Sequence, residues 1–134
     1  LIEKDGKLVA LPLIKIAPAK GVYDYEAKYK RDDTVYTVEP ADVDADPIQA
    51  DTLKLANAIG VRHLCRADYI IDETGQHWLL EINTMPGITS HSLVPQAALK
   101  TGMPMHELCA HLVQEALAGA KGRSGALHSS QSPR

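Results

Sequence analysis

The chain has 134 residues, 45% of them hydrophobic and 23% charged, with 17 Asp and Glu against 14 Lys and Arg. This size predicts one compact soluble domain, and the net charge of -3 argues against nucleic-acid binding through bulk charge. No apolar run approaches the roughly 20 residues of a membrane span, and the opening residues lack a secretory signal, so we expect no membrane association and a cytoplasmic location.

The first third of the chain predicts strands around a polar segment. No methionine precedes Leu1 and the strand pattern starts at once, so we expect a piece of a longer protein. Residues 7–16 are rich in Leu, Val and Ile after a Lys-Asp-Gly turn, which predicts a strand interrupted or edged at Pro12. Residues 18–40 are polar and tyrosine-rich, which predicts an active-site loop and then a short strand near residues 35–38.

A helix and a hairpin are predicted next. Asp46 and Pro47 indicate a helix start, with the aspartate as N-cap and the proline at the first helical position, and Gly60 indicates the helix end. Residues 64–72 and 77–83 then read as two strands. Because the residues between them favour a turn, the two strands predict a β-hairpin.

The last part of the chain predicts two helices. One begins near residues 90–92, after a break at Met85-Pro86-Gly87, and ends at Gly102. The other begins at Pro104 and ends at Gly119, and its apolar face consists of Leu108, Leu112 and Ala116.

Composition and spacing predict where the structured region ends and what the two cysteines do. Residues 120–134 are small and polar without a pattern, so we expect a structured region over 1–119 and a disordered tail over 120–134. Cys65 and Cys109 lie in separate segments, without the spacing of a zinc site or a disulfide scaffold. We predict both to be buried free thiols.

One face of the predicted hairpin carries side chains suited to metal chemistry. Closing the hairpin through residues 73–76 predicts the cross-strand pairs Asp72–His77, Asp68–Glu81 and Arg66–Asn83. Facing carboxylates repel, so a cation is expected between Asp68 and Glu81. With Asn83 they offer only hard oxygen ligands, which predicts Mg²⁺ or Mn²⁺ and a nucleotide-dependent enzyme. The alternative is the solvated face of a half-exposed hairpin.

Two loops supply further candidate ligands. Residues 84–92 offer backbone N–H groups and hydroxyls at a helix start, which suit a carboxylate or an oxyanion; the alternative is a turn with an N-cap. Lys28 could contact a phosphate or be solvated. His91 lies in the loop of residues 84–92 and is a further candidate; the alternative is a hydrogen-bonded loop histidine. The histidines form no pair with metal-binding spacing.

Three stretches of the sequence carry a family resemblance: YDYEAKY (23–29), RAD (66–68) and LLEINTMPGITSHSLVP (79–95). Together and in this order they resemble the D-alanine:D-alanine ligases, members of the ATP-grasp superfamily, and the resemblance covers about residues 7–118. It implies an α+β fold that corresponds to the C-terminal lobe of an ATP-grasp enzyme, with a mixed or antiparallel sheet and flanking helices.

The resemblance also implies roles for individual residues. Asp68, Glu81 and Asn83 match ligands of two Mg²⁺ or Mn²⁺ ions that bridge the phosphates of ATP, and Arg66 matches an arginine that stabilises the acyl phosphate. The other implied roles are nucleotide binding by Lys28 and Glu81, an oxyanion donor at Gly87, binding of the second D-alanine by Ser92 and Leu93, and a lid tyrosine at Tyr29.

By this resemblance the whole enzyme joins two D-alanines with ATP, through an acyl phosphate, for peptidoglycan precursors, and acts as a cytoplasmic homodimer. The family's N-terminal domain and glycine-rich phosphate loop have no counterpart in the sequence. Two alternatives remain: a D-alanine:D-lactate or D-alanine:D-serine ligase, although Tyr29 favours D-alanine, and a non-catalytic fragment that needs its missing lobe.

Overall fold

The computed structural model describes residues 1–17 and 34–128, with the side chains of 1–17 and 34–120. Within these ranges the elements are β1 (Ile2–Lys4), β2 (Lys7–Val9), β3 (Ile14–Ala17), β4 (Val35–Val38), α1 (Ala45–Ala58), β5 (Arg66–Ile71), β6 (His77–Asn83), α2 (Leu93–Lys100) and α3 (Met105–His128). Most of the predicted active-site loop lies outside the described residues.

The described strands pair as three antiparallel hairpins: β1 with β2, β3 with β4, and β5 with β6. The first hairpin turns at Asp5 and Gly6, whose φ angles of 51° and 74° are both positive. Two-residue turns of this kind match the right-handed twist of the strands, and an Asp-Gly pair accommodates them well. The sequence predicted this turn but not β1 on its amino side.

The predicted strand over residues 7–16 is divided in two. β2 ends at Val9 and β3 begins at Ile14, with Pro12 in the break between them. Proline has no N–H to donate to a strand ladder, which is why the interruption falls around it. The predicted short strand near residues 35–38 is confirmed as β4, which pairs with β3 from Ile14↔Val38 to Ala17↔Val35.

Helix α1 starts earlier than predicted. Its N-cap is Asp44, whose carboxylate accepts a hydrogen bond of 3.3 Å from the backbone N–H of Asp46, so the predicted cap at Asp46 is wrong. Pro47 lies at the third helical position instead of the first. A proline fits there too, because the N–H groups of the first turn have no partner within the helix. The predicted end at Gly60 is confirmed by its φ of 73°.

The limits of α2 agree with the sequence, and the end of α3 does not. α2 starts directly after its N-cap Ser92, and Gly102 follows its C-cap with a φ of 83°. α3 passes through Gly119 and continues to His128, into the segment predicted as disordered. A glycine inside a helix costs only about 1 kcal/mol, and alanines flank this one on both sides. Residues 129–134 lie outside the described residues.

The core lies where β1 and the start of β5 meet α2 and α3. Its buried side chains are Ile2, Leu11, Leu64, Val94, Ala97, Ala98 and Leu108. On α3, Leu108 is fully buried and Leu112 packs against this cluster, as predicted, whereas Ala116 is exposed. The α1 residues Ile48, Thr52 and Ala56 are buried as well, and Thr52 bonds to Tyr69 of β5. The hairpin β5–β6 is thereby attached to α1.

The remaining predictions on fold class and cysteines are largely confirmed. Helices and small antiparallel sheets form an α+β arrangement. Both cysteines are free; Cys65 is fully buried, which raises the pKa of its thiol, and Cys109 is only partly buried. Among the described residues, no helix has the length and apolar character needed to cross a membrane.

Candidate functional site

The hairpin β5–β6 brings the predicted carboxylates face to face. Its register pairs Asp68 with Glu81 and Arg66 with Asn83, as the sequence predicted. Nearer the turn, Ile71 and not Asp72 pairs with His77, so the predicted Asp72–His77 pair is wrong. The connection is thus one residue longer than predicted, and a β-bulge beside Asp68 and Tyr69, at which Leu80 is left unpaired, restores the register.

The bulge also separates side chains that simple alternation would place together. The Nε2 atom of His77 lies 2.9 Å from the Asp51 carboxylate on α1, and its ring meets the ring of Tyr69 edge-on at 5.6 Å. His77 therefore lies on the α1 side of the hairpin, with Tyr69 and Thr52, while Glu81 shares the opposite face with Arg66. A strict two-residue alternation predicts His77 and Glu81 on one face, and the extra residue reverses that.

Arg66 supplies the cation expected between the two carboxylates. Its Nε and one terminal nitrogen donate to the two oxygens of Asp68 at 2.7 and 2.9 Å, and that terminal nitrogen also donates to Glu81 Oε1 at 3.2 Å. The Arg66 and Asp68 side chains are each about one quarter exposed, at 25% and 26%, and Glu81 is exposed at 55%. These hydrogen bonds and charges raise the pKa of Arg66 above its ordinary value. The arginine stays protonated, and the two carboxylates hold its planar guanidinium in one orientation.

Asn83 completes a set of oxygen ligands at the open end of the hairpin. Its side-chain oxygen accepts a hydrogen bond of 2.9 Å from the N–H of Met85, which holds the amide at the strand end. A second lone pair on that oxygen remains for a ligand. In the described part of the chain, no three His, Cys, Asp or Glu side chains cluster to hold a metal by themselves. Two carboxylates and an amide fit Mg²⁺ or Mn²⁺, whose shell is usually completed by water and phosphate oxygens.

The loop between β6 and α2 is ordered around the hydroxyl of Ser92. This hydroxyl oxygen accepts a hydrogen bond from the backbone N–H of Thr89 at 3.0 Å and lies 2.8 Å from the Thr89 hydroxyl. It makes no bond to the N–H groups of α2, so these groups are free of a side-chain cap. A side chain on Gly87 would place its Cβ 3.1 Å from the same oxygen. Gly87 and Ser92, predicted as one substrate-binding loop, are therefore neighbours in space.

Two other predicted features have different outcomes. His91 is a hydrogen-bonded loop histidine, with its Nδ1 atom 3.1 Å from the hydroxyl of Ser90. Lys28 and Tyr29 lie outside the described residues, so their predicted roles stay predictions. Sequence reasoning missed Thr89 as the partner of Ser92, although a Thr three residues before a helix N-cap serine was a visible signal.

Comparison with known proteins agrees with the family resemblance of the sequence. A family model described as "D-ala D-ala ligase C-terminus" matches residues 1–114. Among curated relatives, the D-alanine--D-alanine ligase of Acinetobacter baylyi is 43% identical over 89% of this chain and 39% of its own length. That of Laribacter hongkongensis is 47% identical over 82% of this chain and 36% of its own length.

Solved structures show the same similarity at the level of the fold. The D-alanine--D-alanine ligase from Bacillus anthracis complexed with ATP aligns with a TM-score of 0.67 and 29% identity, over 84% of this chain and 37% of that one. D-alanyl-alanine synthetase A from Vibrio cholerae aligns with a TM-score of 0.68 and 25% identity, over 87% and 37%. The chain thus has the predicted ATP-grasp fold and spans less than two fifths of the proteins it matches.

Proposed function

Because the chain belongs to the D-ala D-ala ligase C-terminus family, we propose that it is the C-terminal part of an enzyme that joins two D-alanines with ATP. Within it, residues 1–119 are the C-terminal half of the catalytic region, and the segment from 120 has no assigned role. The whole enzyme would act in the cytoplasm as a homodimer and supply the D-alanyl-D-alanine of peptidoglycan precursors.

The observation that carries this proposal is the group formed by Asp68, Glu81 and Arg66 on one face of the hairpin. Two opposed carboxylates with an arginine between them form a site for a phosphate that arrives with its own cations. Asp68, Glu81 and Asn83 would hold two Mg²⁺ or Mn²⁺ ions. Such ions neutralise the negative charge that develops on the phosphates during transfer.

Arg66 is held in one orientation by the two carboxylates. Its paired N–H groups bind the Asp68 carboxylate in the bidentate manner in which a guanidinium binds a planar carboxylate or a phosphate. We assign to it the stabilisation of the phosphorylated carboxylate and of the tetrahedral species that follows. Glu81 also contacts this guanidinium, so Arg66 orients Glu81 as well as Asp68.

The ordered loop before α2 is assigned to the second D-alanine. The N–H groups of the first turn of α2, which the Ser92 side chain does not cap, favour a carboxylate, so Ser92 and Leu93 would bind that of the incoming amino acid. The backbone N–H of Gly87 would stabilise the oxyanion of the tetrahedral species. Lys28 and Tyr29, outside the described residues, are proposed to contact phosphate and to close over the bound substrates.

The proposed reaction has two steps. The carboxylate oxygen of the first D-alanine takes the γ-phosphoryl group of ATP, which forms an acyl phosphate and releases ADP. The amine nitrogen of the second D-alanine then attacks the acyl carbon. Breaking the bond from that carbon to the phosphate oxygen releases inorganic phosphate, and the nitrogen loses a proton as the peptide bond forms.

The proposal is tested by D-alanine-dependent phosphate release from Mg·ATP, with the dipeptide identified by mass spectrometry. We expect the 134-residue chain alone to be inactive, since it lacks most of the length of its relatives. The full-length protein should form D-alanyl-D-alanine, and Asp68→Asn in it should abolish the product. D-lactate or D-serine as the preferred second substrate would identify the related ligase instead, and no ligation by the full-length protein would contradict the assignment.

A further inference from the structure

Two consecutive residues of α1 hold both strands of the hairpin β5–β6 from the face opposite to the carboxylates. The hydroxyl oxygen of Thr52 lies 2.9 Å from that of Tyr69 on β5. The Asp51 carboxylate lies 2.9 Å from Nε2 of His77 on β6. The rings of Tyr69 and His77 meet edge-on, with their centres 5.6 Å apart, so the two contacts are continuous. We call these four residues the α1 anchor.

The hydrogen bond between Tyr69 and Thr52 has a defined direction. The Thr52 hydroxyl donates its single proton to the carbonyl oxygen of Ile48, one turn earlier on α1, at 2.6 Å. The Tyr69 hydroxyl must therefore be the donor to Thr52. Thr52 is only 7% exposed, so water cannot readily replace a partner that is removed. The bond thus fixes the distance between Tyr69 and α1.

Tyr69 is held where the ladder of the hairpin is interrupted. On β5 the break falls between Asp68 and Tyr69, and the extra residue, Leu80, lies on β6. A bulge disrupts the ladder bonds locally, bends the strand and changes the direction of the side chains beside it. The ladder therefore fixes the backbone less firmly here than elsewhere. The direction of the Asp68 carboxylate depends on what holds Tyr69, the next residue.

We propose that the α1 anchor positions the metal ligands Asp68 and Glu81, with Tyr69 as the main positioning residue; this rests on the metal site of the proposed ligase. The Tyr69 hydroxyl, bound to Thr52, fixes the backbone on the Asp68 side of the bulge. His77 fixes β6 on the other side of the bulge, so Glu81 stays opposite Asp68. The anchor acts through the backbone, because its side chains lie on the face opposite to the carboxylates.

Tyr69→Phe tests the role of the hydroxyl in the full-length protein. It removes one oxygen and leaves the ring in place against His77. We expect the dissociation constant of Mn²⁺ to rise about fivefold, less than the roughly 10–100-fold that loss of a group bonded directly to a metal ligand costs. The EPR signal of free Mn²⁺ measures it, with ADP present and D-alanine absent. Phosphate release should also need more Mg²⁺ for its half-maximal rate, while kcat at saturating Mg²⁺ changes little.

Variants of α1 separate positioning from general stability. Thr52→Val removes the acceptor and should weaken Mn²⁺ binding as Tyr69→Phe does, and the double variant should bind no more weakly than either, since all three lack the same bond. Thr52→Ser keeps the hydroxyl and should bind Mn²⁺ normally. Ile48→Val is the matched control: it removes a buried methylene from the same helix and lowers the thermal midpoint, but should leave Mn²⁺ binding unchanged.

The Mn²⁺ measurement also distinguishes failure of this proposal from failure of the proposed function. Glu81→Ala should weaken Mn²⁺ binding more than Tyr69→Phe does. If Glu81→Ala weakens binding and Tyr69→Phe does not, the positioning role is wrong and the metal site stands. If neither variant weakens binding, both assignments are overturned. An equal loss of binding in Ile48→Val would also overturn the proposal, because the effect would then follow stability alone.

Discussion

Arg66 binds Asp68 through two parallel hydrogen bonds of 2.7 and 2.9 Å, although the two residues lie on the same strand. Residues two apart on a strand point to one face, so the arginine can reach the carboxylate without leaving the ladder. Glu81 approaches the same guanidinium from β6. The repulsion between the facing carboxylates is thereby offset.

Arg66→Lys in the full-length protein should lower the turnover number at least about 100-fold, as does loss of one oriented donor to a developing anion. The ammonium keeps the charge but cannot make the bidentate contact that Arg66 makes with Asp68. Steady-state phosphate release measures the effect. Arg62→Lys, at an exposed side chain four residues earlier, is the control and should leave turnover unchanged. Normal turnover in Arg66→Lys would show that Arg66 is only a structural partner of Asp68.

Glu81→Ala should abolish most turnover while the protein stays folded. The Glu81 side chain is 55% exposed and makes one contact of 3.2 Å with Arg66, and exposed pairs of this kind contribute only about 0–1 kcal/mol to stability. Turnover at increasing Mg²⁺ and the thermal midpoint together separate the two effects. The exposed Glu73→Ala serves as the control. Wild-type turnover in Glu81→Ala would contradict its role as a metal ligand.

Gly87→Ala should raise the KM for the second D-alanine and change the KM for ATP little. The new Cβ would lie 3.1 Å from the hydroxyl oxygen of Ser92, closer than ordinary contact, so that hydroxyl must shift from its present position beside Thr89. Kinetics at varied D-alanine with saturating ATP measure the change. Unaltered D-alanine kinetics would show that the position of the Ser92 hydroxyl does not limit binding.

Gly119→Ala should stabilise the protein by about 0.5–1 kcal/mol and leave the kinetics unchanged. Gly119 lies inside α3, where alanine is the better helix former. The added Cβ would meet the nearest atom, Cε1 of the His63 ring, at an ordinary 3.6 Å. Urea unfolding measures the effect. Destabilisation would instead support the helix end that the sequence predicted at this glycine.

Asp72, in the turn before β6, should titrate at a lower pH than an ordinary aspartate. A hydrogen bond from the Thr74 hydroxyl, helped by one from the indole of Trp78 and by turn N–H groups, lowers the pKa of Asp72 to about 2. Since the folded-state pKa lies below the ordinary value of 3.8, its stabilising effect is complete above pH 3.8 and is lost as the pH falls through 2. Titration of this carboxyl by NMR should show Thr74→Ala raising the pKa. An unchanged midpoint would contradict the role of the hydroxyl.

The sequence by itself predicted which residues face each other at the site, Asp68 with Glu81 and Arg66 with Asn83. It did so from a connection one residue too short, and the pairs agree because the bulge at Leu80 compensates for the longer connection. The limits of β4 and α2 and the end of α1 at Gly60 were predicted because caps, glycines and prolines act within a few residues. The family resemblance rested on the same local stretches.

Tertiary contacts decided the rest. His77 contacts Asp51 on α1 and therefore lies on the face of the hairpin opposite to Glu81. The bulge at Leu80 allows both placements. Strand alternation alone does not predict where this extra residue falls. The placement of β1 between two hairpins depends on hydrogen bonds between Leu1 and Cys65, which lie 64 residues apart. Contacts over such separations arise from packing of the whole chain, and local propensities contain no information about them.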